Sequence, residues 1–183
     1  MKLVLISIQP KWCELIASGK KTVEVRKTRP KIEAPFKVYI YMTKDKWYKD
    51  YKNKNHYGNG KVIGEFVCDD INTTDVVHGD EEVGWYVNNM HAVKGSCLDE
   101  YDILNYCPKE ATIYGWHISD LVIYDKPKEL SEFYKRCYSG CEKCKYESWD
   151  YDLGGGKDII CTVSNKKPIK RPPQSWCYVE EGR

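Results

Sequence analysis

The first 27 residues constrain the fold more than any other stretch, because they fit a strand, a short helix and a second strand into fewer than thirty positions. Leu3 to Ile8 is an apolar run rich in β-branched residues and reads as a strand. Pro10 opens a short helix, since its fixed φ suits a first turn, and Trp12, Leu15 and Ile16 share one helical face. Gly19 stands where a left-handed cap ends a helix. Thr22 to Lys27 then alternates strictly, with Val23 and Val25 on one side and Thr22, Glu24 and Arg26 on the other.

Beyond this unit the chain reads as further short strands. Lys37 to Thr43 alternates, Lys61 to Cys68 is a second good strand, and Ala111 to Tyr124 is one long strand or two joined at a kink. Residues 44–60 are rich in Lys, Tyr and Asn and read as an exposed loop or frayed helix. Asp69 to Gly95 is acidic and turn-rich, which predicts weak structure at best. Ser96 is suited to cap a helix from Cys97 to about Tyr106, Leu130 to Arg136 reads as a short helix, and Ser175 to Val179 as a closing strand. Five to seven strands with two or three small helices suggest a closed or partly closed β-barrel, mainly β with an α+β character. No repeat or linker divides the 183 residues, so one domain is expected, with a Cys-rich insertion at about 137–165 before the last strand.

The charge is unevenly spread. Residues 1–61 hold 15 Lys/Arg against 5 Asp/Glu, and residues 62–130 hold 4 against 14. Either a one-sided positive face results, or the two segments adjoin and neutralise each other. No run reaches the length of a membrane span, and MKLVLISIQP has no small-residue cleavage site and reads as a first strand, not a signal peptide. Nine cysteines without a signal peptide then imply a reducing, cytoplasmic location. Cys13, Cys68, Cys97, Cys107 and Cys177 are scattered and read as small buried hydrophobes.

Gly19, Lys21, Glu24 and Arg26 form the most chemically suggestive constellation. Lys21 and Arg26 can hold an anion while Glu24 accepts hydrogen bonds from a base or amine. The same lysine, if desolvated, can act as base or nucleophile with Glu24 relaying a proton. The plainer alternative is a solvated salt-bridge face on an edge strand.

SIQPKWCELIASGKKTVEVRK resembles the N-terminal signature of the ASCH domains of the PUA-like superfamily, whose Gly-x-Lys-x-x-Glu-x-Arg motif is matched by Gly19, Lys21, Glu24 and Arg26. YGWHISDLVIYDKPKELSEF and RPPQSWCYVEE resemble later parts of bacterial and phage members. The resemblance implies a PUA-like β-barrel with a cleft between barrel and N-terminal helix, and a role in RNA or nucleotide metabolism. Small bacterial relatives that hydrolyse acylated cytidines use the motif lysine but carry threonine where Glu24 stands, and take a second carboxylate from a later strand. Glu65 is a possible counterpart of that carboxylate.

Tyr and Trp are plentiful (15 and 6) beside 3 Phe, which suits half-buried or stacking surfaces. Trp12, Trp116 and Trp176 each sit in one of the three family-like segments, and would wall a base-stacking cleft if those segments adjoin. Core packing is the alternative for each. His117, Ser7, Gln9 and Ser175 are further candidates for ligand contact. Cys137, Cys141, Cys144 and Cys161 have the spacing of a closed, structural Zn²⁺ site, in a stretch with little core of its own.

Three functions follow as expectations. The first is a module holding RNA or a nucleotide-like ligand through Lys21, Glu24 and Arg26. The second is a hydrolase, a ribonuclease or modified-nucleoside amidohydrolase, with Lys21 and Glu24 catalytic. The third is a protein-interaction domain.

Overall fold

The computed structural model describes residues 2–44, 60–136 and 168–182 in full, and only the backbone of 147–151 and 157–161. Strand β1 (Leu3–Ile8) runs into helix α1 (Pro10–Ala17) and then β2 (Val23–Arg26), as the local signals require. Strands β3 (Phe36–Met42), β4 (Val62–Cys68), β5 (Ile71–His78) and β6 (Trp85–Val87) follow. A 3₁₀ turn (Met90–Val93) and α2 (Glu100–Tyr106) precede β7 (Ala111–His117) and β8 (Ser119–Lys128). The described chain closes with β9 (Phe133–Lys135), β10 (Glu147–Tyr151), β11 (Lys157–Cys161) and β12 (Trp176–Glu181).

Six strands form one sheet in the order β8-β4-β3-β1-β12-β9, and four form another in the order β2-β7-β5-β6. The sheets curl into a half-barrel of the PUA-like kind. β1 lies centrally, parallel to β3 and antiparallel to β12. Both its faces are covered, which explains its unbroken apolar run. Val4, Ile6 and Ile8 pack with Cys13 and Ile16 of α1 and with Phe36, Phe66 and Trp116. Leu5 faces Tyr39, Val62, Phe133 and Val179 on the opposite side. A third cluster, with Val25, Val76, Ile103 and Ile113, joins the smaller sheet to α2.

Several elements differ from expectation. Residues 71–78 form an eight-residue strand where the acidic sequence suggested little structure, because pairing with β7 supplies its order. Its Thr74 and Val76 point inward and Thr73 and Asp75 outward, so the alternation was present beneath the acidic residues. α2 is capped by Asp99, not Ser96, since Asp99 and Asp102 form a reciprocal capping box. Residues 130–132 make a single 3₁₀ turn, and the chain then turns extended as β9 to pair with β12. Among the described cysteines, Cys13, Cys68 and Cys107 are buried as expected, whereas Cys97 is exposed.

The charged segments partly neutralise each other: Lys37 pairs with Glu65 at 2.6 Å and Lys61 with Glu129 at 2.7 Å. Among the described residues, no helix is long and apolar enough to cross a membrane. The loop expected at 44–60 and the cysteine set Cys137, Cys141, Cys144 and Cys161 fall outside the described residues, save for Lys44, Gly60 and the backbone of Cys161 in β11.

Candidate ligand-binding site

The end of α1 sets the position of Lys21. Gly19 adopts φ +73°, which favours glycine, and the Lys21 backbone N–H donates to the Leu15 carbonyl at 3.0 Å. β2 then pairs antiparallel with β7, with Glu24 opposite Trp116. Alternation along β2 puts Glu24 and Arg26 on one face, toward the end of β1.

There one carboxylate bridges two cations. Glu24 Oε1 lies 2.8 Å from Arg26 Nη2, and Glu24 Oε2 lies 3.4 Å from Lys21 Nζ. Lys21 Nζ also donates to the Ser96 carbonyl at 2.6 Å, and Arg26 Nη2 to the Ser7 carbonyl at 2.6 Å. β2 is an edge strand, yet Lys21, Glu24 and Arg26 are only 2%, 6% and 8% exposed. This is not a wet salt-bridge face, and its interactions act in a medium much less polarisable than water. The triad keeps one net positive charge. Burial pushes the Lys21 ammonium below its ordinary pKa, while Glu24 pulls the other way. Arg26 Nε is buried without a hydrogen-bond partner, a costly state for a donor.

The triad faces a cavity of about 620 Å³. Trp12 forms one wall, half-buried, with Lys21 Nζ 5.2 Å from its ring centre, within cation–π range. Ser7 and Gln9 line it from the exit of β1, and Gln174 and Ser175 from the approach to β12. The Ser7 hydroxyl donates to the Pro173 carbonyl at 2.7 Å and its N–H to the Ser175 carbonyl at 2.9 Å, so this serine fastens the two segments together.

The structure thus brings Ser7, Gln9, Trp12, Lys21, Glu24, Arg26 and Ser175 to one cavity. It does not bring the other candidates there. Trp116 is fully buried, edge-on to Phe36 at 5.7 Å, with its indole N–H unpartnered. Trp176 packs 6.1 Å from Trp116, and its indole N–H donates to Thr28 Oγ1 at 3.0 Å. His117 is half-exposed and held by Asp69 at 2.7 Å. Glu65 lies in a separate cluster, bound by Lys37 and by the Tyr124 hydroxyl at 2.5 Å.

Four cavity contributors escaped the sequence reading: the Ser96 carbonyl, Asp102, Tyr106 and the Pro172–Gln174 segment. For Asp102 a signal existed, because acidic residues three apart at 99 and 102 are the mark of a capping box. The Ser96 carbonyl had none, since its role depends on packing between distant segments.

Comparison with known proteins agrees with this geometry. The family model ASCH domain matches residues 6–124, more than half of the chain and including the whole triad. The chain belongs to the ASCH domain family. Among solved structures, the ASCH protein of Zymomonas mobilis superposes with a TM-score of 0.50 at 18% identity, over 98% of this chain and 88% of that one. A serine-to-alanine variant of the same protein gives 0.56 at 19%, over 98% and 89%. A tyrosine-to-phenylalanine variant gives 0.51 at 22%, over 71% and 77%. At these identities the likeness establishes the shared ASCH fold. No curated protein matches the chain.

Proposed function

We propose that this ASCH domain binds RNA or a nucleotide-like ligand in the cavity above Lys21, Glu24 and Arg26. The observation that carries the reading is a buried, net-positive triad beneath a cavity of about 620 Å³ walled by Trp12. That volume falls in the ordinary range for small-molecule sites. Each part matches a part of a nucleotide. The Trp12 face suits a base, the Gln9 and Gln174 amides offer paired donors and acceptors for a base edge, and the excess positive charge suits phosphate. A ligand acceptor oxygen near Arg26 would strengthen a guanidinium that now spends its printed bonds on one nitrogen.

Binding of labelled single-stranded RNA at several salt concentrations tests this. Affinity should fall steeply with salt and should drop in Trp12→Ala. Salt-independent binding, or an unchanged Trp12→Ala affinity in a protein that still melts cooperatively, counts against it.

The depressed pKa of Lys21 favours a second reading, hydrolysis. A neutral Lys21 would take a proton from water as the water oxygen attacks an acyl carbon or phosphorus, with Glu24 holding the resulting ammonium. In that case Lys21→Ala abolishes turnover while ligand binding partly survives.

A further inference from the structure

Immediately beyond Arg26 the chain enters a loop with three cations in five residues, Lys27, Arg29 and Lys31, all exposed. Among the described residues none of them belongs to an ion pair. Exposed lysine and arginine side chains are common, but this loop is unusually well fixed. Its Thr28 Oγ1 accepts from the Trp176 indole at 3.0 Å, and the Lys31 N–H donates to the Tyr178 hydroxyl at 2.8 Å. Pro30 and Ile32 are buried between the cations, which turns alternate residues outward. The loop borders an open groove of about 750 Å³, whose other side includes Tyr114. Two carboxylates, Glu33 and Asp70, also line the groove, so the charge is a stripe along the loop rather than a uniformly basic surface.

The groove adjoins the first cavity. Lys27 lines the groove, and its ammonium lies 4.3 Å from the ring centre of Tyr106, which lines the cavity. Arg26 and Lys27 therefore open to neighbouring sites from successive positions at the end of β2.

We propose that the groove carries the backbone of a single-stranded RNA whose neighbouring base occupies the triad cavity. This rests on the nucleotide-binding reading above and specifies its ligand as an oligonucleotide rather than a free nucleotide. Lys27, passing over Tyr106, is the step between the two sites. Arg29 and Lys31 meet the phosphates that follow, and the Tyr114 ring lies beside the path. A loop fastened at Thr28 and Lys31 presents these charges with little ordering to be done on binding. Because the two carboxylates remain opposite, phosphate is admitted along one wall only.

The test compares a random-sequence hexaribonucleotide pool with a mixture of the four nucleoside 5′-monophosphates, using the full chain and an Arg29→Ala/Lys31→Ala variant. The wild type should bind the hexamer at least about tenfold more tightly than the monophosphates, since every added phosphate contact increases affinity. The double variant should lose most of that advantage and keep its monophosphate affinity, and its salt slope for the hexamer should fall by about 1. Both cations are exposed, so the variant should melt with the wild type. A double variant that binds the hexamer as well as wild type overturns the groove, as does a wild type with no preference for the hexamer. Monophosphate binding that is weakened by Trp12→Ala would in either case leave the cavity reading standing. If wild type binds neither probe, both readings fall.

Discussion

The ammonium of Lys21 lies 2.6 Å from the carbonyl oxygen of Ser96, 75 residues further along the chain. The same junction is closed by backbone bonds, since the Gly95 carbonyl accepts from Thr22 N–H at 2.8 Å and Val23 N–H at 3.2 Å. The segment before α2 thus holds the start of β2 and seals the inner side of the triad.

Gly95 should be intolerant of a side chain for two reasons. Its φ is +89°, and a Cβ would meet Thr22 Oγ1 at 2.3 Å. Gly84 shares the left-handed backbone (φ +66°) but has open space around it. Gly84→Ala should therefore cost about 1–2 kcal/mol, the backbone component alone. Gly95→Ala should cost clearly more and also weaken ligand binding. Urea denaturation of both variants checks this, and equal losses would remove the packing role assigned to the junction.

Glu24 holds two buried cations, so its neutralisation should be expensive. Glu24→Gln leaves Lys21 and Arg26 facing each other without a counter-charge, and the expected loss is about 3–5 kcal/mol. Lys61 and Glu129 form an exposed pair, with side chains 44% and 57% accessible. Lys61→Ala should cost less than about 1 kcal/mol. Chemical denaturation that ranks the two variants in the reverse order contradicts the burial of the triad.

The outer cluster predicts an acid-sensitive contribution. Burial raises the pKa of Glu65, but hydrogen bonds from Lys37 and Tyr124 outweigh it, leaving the carboxyl below its ordinary value of 4.5. A carboxyl with a lower pKa in the folded state stabilises the fold above its unfolded pKa. That contribution disappears as pH falls from about 4.5 through the folded value. Glu65→Gln should flatten the acid limb of the stability–pH curve and leave its slope above pH 6 unchanged. An identical acid limb in wild type and variant would contradict the assignment.

Asp99 anchors α2 through its bond to the Asp102 N–H at 2.8 Å. Asp99→Ala should cost about 1 kcal/mol of stability. Because α2 carries Asp102 and Tyr106 on the cavity wall, ligand affinity should fall as well. Thermal melting and a binding titration on the same variant separate the two effects.

Much of this was legible in short stretches of sequence. β1, α1 and β2 are specified by an apolar run, Pro10, Gly19 and strict alternation, all local signals that tertiary packing had no reason to override. β5 was less legible because Asn72, Thr73 and Asp75 sit on its outer face, and its order comes from β7 more than forty positions away in sequence. The triad's residues could be named from the motif, but their burial could not, since it depends on the Ser7 and Ser96 carbonyls arriving from elsewhere. The three tryptophans make the same point. Equivalent in the sequence, they divide into a cavity wall at Trp12, a core residue at Trp116 and a loop clamp at Trp176.

Nuclear magnetic resonance of the tryptophan indole N–H groups tests the central claim most directly, with signals assigned by single Trp→Phe variants. On titration with the hexaribonucleotide pool, the Trp12 signal should shift progressively and saturate, while the buried Trp116 signal stays nearly fixed. Saturating binding that leaves Trp12 unmoved would show that the ligand lies elsewhere and would contradict a site above Lys21, Glu24 and Arg26.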